Sequence, residues 1–174
     1  GSCAFYGCKG LTSVTIGNSV TSIGSQAFYG CNKIAEIEYH ANYQYTGFSG
    51  LSSLEEVIIG DSVTTLYASF SNCKNLAKLT LGKSLQYIRQ DVFSGCSSLN
   101  EVHSRAEIPP YLYPNVFKDV PLASATLYVP MSAKGAYAEA TTWKDFGTIV
   151  SDTPDPVMHK IHIEVSDYGK VSYL

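Results

Sequence analysis

Residues 4–26 read AFYGCKGLTSVTIGNSVTSIGSQ, and residue 27 starts the same phrase over as AFYGCNKIAEIEY. Looser copies follow as GFSGLSSLEEVIIGDSV at 47–63, SFSNCKNLAKLTLGKSL at 69–85 and VFSGCSSLNEV at 92–102. Aligned on phenylalanine, the copies place Phe5, Phe28, Phe48, Phe70, Phe93 and Phe117 at successive intervals of 23, 20, 22, 23 and 24 residues. Self-similarity with a period in the low twenties marks a solenoid, in which each coil buries its apolar edge only against its neighbours.

Within a coil the apolar slots recur at fixed offsets. Six residues after the first five phenylalanines stand Leu11, Ile34, Leu54, Leu76 and Leu99, and three further on Val14, Ile37, Val57, Leu79 and Val102. Ile16, Tyr39, Ile59 and Leu81 come two beyond, so the last pair alternates with period two and reads as a short strand with one face buried. Stacked coils then lay these strands side by side in a parallel sheet. A second apolar pair, Val20 with Ile23, returns as Val63 with Leu66 and Leu85 with Ile88, each after a Gly-polar-Ser turn, which predicts a second extended segment per coil. The slot two after each phenylalanine holds Gly7, Gly30, Gly50, Asn72, Gly95 and Asp119, residue types that tolerate the left-handed backbone, so positive φ is expected there.

Composition narrows the function classes. A hydrophobic fraction of 45% is that of an ordinary globular chain, and a net charge of −3 argues against nucleic acid or an anionic membrane as partner. No apolar run approaches the roughly 20 residues needed to cross a bilayer. Gly1-Ser2-Cys3 aligns with Gly24-Ser25-Gln26, so the chain is expected to begin partway through a repeat of a longer protein, with any signal or anchor outside it.

Past the last copy, Pro130 ends the segment TLYV at 126–129, and Ser132 is placed to cap a helix running to about Thr142. Ala136, Tyr137, Ala140 and Trp143 share a stripe of that helix. Residues 130–150 therefore read as the cap that an open solenoid end requires, with Trp143 as its buried anchor. Residues 151–157, rich in Pro, Asp and Ser, read as a linker, and 158–174 as a β-hairpin, Ile161, Ile163 and Val165 alternating before a turn at Asp167–Lys170.

No arrangement for catalysis emerges. Cys8, Cys31, Cys73 and Cys96 share the slot three after phenylalanine, which the other copies fill with Leu51 and Val120, so it reads as a buried apolar slot. Coil spacing puts Cys8 beside Cys31 and Cys73 beside Cys96, within reach of a disulfide, but free thiols are the expectation. There is no C-x-x-C spacing for zinc, His159 and His162 fall on opposite faces of an extended segment, and His40 and His103 lack a nucleophile signature. The expectation is a non-enzymatic monomer with no catalytic residue, metal site or cofactor.

The candidate binding surface is the outward row of the first sheet. Stacking sets Glu36, Glu56, Lys78 and Glu101 in one column and Glu38, Ile58 and His103 in the next, a mildly acidic face. Beside it, the second coil lacks its Gly-polar-Ser turn and carries Tyr43 and Tyr45 in an aromatic loop. Solenoids present extended binding surfaces, and irregular loops are where individual function concentrates.

The motifs AFYGC at 4–8, IGSQAFYGC at 23–31 and TLYVPMSAKGAY at 126–137 resemble the BspA-like leucine-rich repeat family of secreted or surface proteins, found largely in Bacteroides-type bacteria and some parasitic protists. The resemblance covers residues 1 to about 150. It implies a leucine-rich-repeat-like, right-handed coil stack of about six coils, an α/β-type solenoid that is mostly β, closed by a C-terminal segment; the helical cap and the hairpin tail are added by the residues themselves. It implies a secreted or cell-surface location and adhesion to an extracellular or host protein, and it carries no catalytic residue. Two alternatives stand beside that: a glycan-binding module using exposed tyrosines, and a passive spacer or display stalk within a larger surface protein.

Overall fold

The computed structural model describes residues 3–24, 26–42 and 47–152. Among them run ten strands: β1 (Ser13–Ile16), β2 (Glu36–Tyr39), β3 (Glu56–Ile59), β4 (Thr65–Leu66), β5 (Lys78–Leu81), β6 (Tyr87–Ile88), β7 (Glu101–Ser104), β8 (Tyr111–Leu112), β9 (Thr126–Pro130) and β10 (Thr148–Asp152). One short helix, α1 (Lys134–Glu139), lies between β9 and β10. The longer strands form a parallel sheet in the order β1-β2-β3-β5-β7-β9-β10, and the two-residue strands form a second one, β4-β6-β8. This is the expected solenoid, each coil adding one strand to the first sheet and the later ones a second.

Packing explains why the repeat has its shape. The six phenylalanines stack in sequence, with ring centroids 5.2 to 5.8 Å apart from Phe5 through to Phe117. Each ring fills the space between its neighbours and none packs within its own coil alone. All six slots two residues later have positive φ, from 58° at Asn72 to 78° at Gly30. That turn aims backbone N–H groups along the stack. Phe70 and Asn72, for example, donate to the carbonyls of Val92 and Ser94 in the following coil, and Phe93 and Gly95 to those of Val116 and Lys118. A third run of hydrogen bonds thus satisfies the polar backbone where there is no strand. A further left-handed position, two residues before the phenylalanine at Cys3, Gln26, Asp91 and Asn115, had no mark in the sequence because its residue types vary. In the turn slot, a β-carbon on Gly82 would collide with the carbonyl of Gly60, so close approach of neighbouring backbones holds position 82 to glycine.

The cysteine slot is more than apolar filling. The thiols of Cys31, Cys73 and Cys96 are buried and unpaired, and each donates to a phenylalanine carbonyl of the preceding coil, Phe5, Phe48 and Phe70 respectively, at 3.0 to 3.2 Å. Burial pushes the Cys73 thiol up to about 11 and the Cys96 thiol up to about 12, since a thiolate there has no solvent to stabilise it. Cys8 departs from the expectation of a buried slot: it is exposed, and Phe5 beside it keeps 47% of its surface accessible.

The far end is closed. Trp143 meets Phe117 edge-on at 5.8 Å and Phe146 meets the same ring at 5.9 Å, while the Trp143 indole N–H donates to the Pro110 carbonyl at 2.9 Å. Tyr137 packs edge-on against Trp143, and its hydroxyl donates to the Ala106 carbonyl at 3.1 Å. That hydroxyl has one proton, so the 2.6 Å contact to Ser104 has serine as donor. Burial raises the Tyr137 hydroxyl to about 12. The cap corrects the sequence reading in two respects. The helix spans only Lys134–Glu139, because Met131–Ala133 and Trp143–Asp145 wind as 3-10 turns, and the Ser132 hydroxyl donates to Glu107 instead of capping. Residues 148–152 add strand β10, which runs through Ser151 and Asp152, two residues into the stretch that composition assigns to a linker. Tyr43, Tyr45, the rest of that linker, His159, His162 and the expected hairpin lie outside the described residues.

Candidate functional site

Period-two alternation turns one residue of each pair out of the first sheet, and the parallel register lines these up into two columns. Ser13, Glu36, Glu56, Lys78, Glu101, Thr126 and Thr148 form the first. Thr15, Glu38, Ile58, Thr80, His103, Tyr128 and Val150 form the second. The seven sequence-predicted face residues that the structure describes all stand in these columns. Thr80 is the exception to outward exposure, retaining only 7% of its surface between its neighbours.

Charge on this face is organised by contact. Lys78 lies between two carboxylates, 3.4 Å from Glu56 and 3.8 Å from Glu101. Glu101 also accepts from His103 at 2.8 Å, and the other ring nitrogen of His103 lies 3.3 Å from Asp152. Five side chains on β3, β5, β7 and β10 thus form one continuous polar network. These groups are partly solvated, so each pair contributes little to stability, on the order of 0–1 kcal/mol. Their effect is to fix side-chain positions on a flat surface. Glu38 belongs to a separate pair with His40, at 2.9 Å. Glu36, opposite Glu56 in register, enters none of the ion pairs among the described residues and leaves the acidic character of the face at its β2 end.

Three participants escaped the sequence reading. His40 pairs with Glu38 two positions back, a spacing that could have signalled the contact on an extended strand. The ring of Tyr128 stacks on His103 at 4.3 Å, and its place in the TLYV segment, two residues past Thr126, was a usable signal. Asp152 is 49 residues from its histidine and was masked by linker-like neighbours.

The array as a whole also matches a family model, the BspA type leucine-rich repeat region (6 copies), over residues 1–100 and 44–138. The chain belongs to that family. As a BspA-type leucine-rich repeat chain it is a protein-interaction repeat module, from a family that is generally non-enzymatic and whose members are typically surface or secreted proteins. Comparison with curated proteins gives no match. Among the described residues, no group of three or more His, Cys, Asp or Glu side chains could hold a metal ion, and no helix is long and apolar enough to cross a membrane.

Proposed function

We propose that this BspA-type repeat chain is a secreted or cell-surface adhesion module that recognises an extracellular protein through the outward face of its first sheet. The observation that carries the reading is the network from Glu56 through Lys78, Glu101 and His103 to Asp152, which links polar side chains of four strands across the face with Ile58 and Tyr128 set among them. Pre-positioned charges favour specificity and fast encounter, and the aromatic and aliphatic side chains among them supply contact area.

Size refines the reading. Six spacings of about 4.8 Å by four residues of about 3.3 Å give a footprint on the order of 400 Å². A standard protein interface takes about 800 Å² from each partner. The sheet face therefore contributes about half an interface, and the aromatic sequence around Tyr43 and Tyr45 is our candidate for the rest. Charge reversal of Glu36 and Glu56 to lysine, combined with Tyr43→Ala and Tyr45→Ala, is expected to lower affinity for a captured extracellular protein at least tenfold. Unchanged affinity would remove this surface from the account and favour the spacer reading.

A further inference from the structure

The second sheet has a different chemistry from the first. Tyr87 and Tyr111 face each other in register and are 44% and 60% exposed. Tyr113 meets Tyr111 edge-on at 5.2 Å, and the Arg89 guanidinium lies over the Tyr113 ring at 3.9 Å with Tyr67 at 5.8 Å. A stacked cation of this kind holds its aromatic partner in place. The result is a fixed aromatic platform on the side of the solenoid away from the acidic face.

Beyond β8 lies a cleft of about 420 Å³, walled by Tyr111, Tyr113, Asn115, Lys118 and Thr142. Among the described residues, the cap seals the phenylalanine stack and extends the first sheet but adds no strand to the second, where β8 is the last strand. Tyr111 and Tyr113 spend their N–H groups on Gln86 and Ile88 of the preceding coil, so by strand alternation the N–H and C=O of Leu112 turn the other way, toward the cleft. Thr142 is held at φ 69°, an uncommon conformation for a β-branched residue, and such strain concentrates at ligand sites.

The occupant follows from the walls. Proline at 109, 110 and 114 brackets the two residues of β8, which blocks extension of the sheet by an added peptide strand. The β8 edge, Asn115 and Lys118 offer hydrogen-bond partners that a wholly apolar ligand would not use. Hydroxyl groups donate and accept at once and so match this mixed set, while the flat ring of Tyr111 suits the apolar C–H face of a sugar. The volume falls within the range of small-molecule sites, roughly 300–1,000 Å³. The geometry points to a carbohydrate subsite in this cleft, where a pyranose ring stacks on Tyr111 and its hydroxyls bond Asn115, Lys118, Thr142 and the edge of β8. The subsite is independent of protein recognition on the first sheet.

The test is titration of the whole chain with methyl glycosides of glucose, galactose, mannose and N-acetylglucosamine and their β-linked disaccharides, followed by calorimetry and saturation-transfer NMR. A proline-rich peptide serves as the competing aromatic-seeking probe. At least one glycoside is expected to saturate, with affinity falling at least tenfold in Tyr111→Ala and severalfold in Lys118→Ala, and unaltered in Lys74→Ala, an exposed position outside both surfaces. Tyr111 and Lys118 are exposed, so both variants are expected to keep the parent's circular dichroism and melting temperature; Asn115→Gly, which retains the left-handed backbone at that exposed position, gives a further variant should either one fail to fold. Absence of saturation by every sugar, equal affinity in Tyr111→Ala, or binding of the peptide in place of the sugars would overturn the assignment.

Discussion

The rings of His103 and Tyr128 lie 4.3 Å apart and 4° from parallel. Tyr128 sits on β9, between the strand that bears His103 and the strand that bears Asp152. The histidine crosses above this tyrosine to reach Asp152, while its other nitrogen bonds Glu101. The stack is thus the step by which the polar network of the face passes from the repeats to the closing strand.

A double-mutant cycle on His103→Ala and Tyr128→Ala, read by urea denaturation, is expected to give a coupling of about 0.5–1.5 kcal/mol, the usual range for stacked rings. Additive single effects would mean that the two rings touch without supporting each other.

Position in the ladder decides the worth of each phenylalanine. Phe70 is fully buried between Phe48 and Phe93, so Phe70→Ala is expected to cost about 3–5 kcal/mol through lost contacts and a residual cavity. Phe5 has neighbours on one side and half its surface in water, so Phe5→Ala should cost about 1 kcal/mol, half the value of full burial and with no cavity. Equal losses on chemical denaturation would contradict the difference in burial between Phe70 and Phe5.

Thiol chemistry reports the same asymmetry. Cys3 and Cys8 should react at once with an aromatic disulfide reagent, and Cys31, Cys73 and Cys96 only after denaturant is added. Alkaline stability carries the matching sign. Cys73, Cys96 and Tyr137 have pKa values raised above the ordinary 9.0 and 10.0, so below pH 9 both folded and unfolded chains hold these protons and nothing is lost. Above it the unfolded chain releases them first, the native state binds more protons, and stability falls as pH rises toward 11–12. The melting temperature should therefore decline steadily from pH 9 upward, and Cys73→Ser with Cys96→Ser, which keep a donor for the phenylalanine carbonyls, should flatten the slope. A profile that stays flat through pH 10.5 would show that these groups are not sequestered.

Much of this was legible in the residues, for a local reason. Slots such as Val57 and Ile59 declare a strand because alternation is a property of neighbours, and Asn72 or Asp119 in the glycine slot declare positive φ because few residue types tolerate it. What escaped depends on distant placement. Asp152 becomes part of the face only through β10 pairing with β9, the Ser132 hydroxyl finds Glu107 across 25 residues, and the cleft beside Tyr111 lies where, among the described residues, the second sheet ends at β8. No local pattern encodes any of these.

Recognition by the first sheet is the claim on which the functional reading stands, and carboxylate footprinting tests it most directly. The chain would be modified with carbodiimide and an amine, alone and saturated with a captured extracellular protein, and the labelled sites read by mass spectrometry. Protection of Glu36, Glu56 and Glu101 in the complex, with Asp91 and Asp119 labelled as in the free chain, is the predicted result. Unchanged labelling of the three glutamates, with protection at Asp91 and Asp119 instead, would contradict it and move recognition off the sheet face.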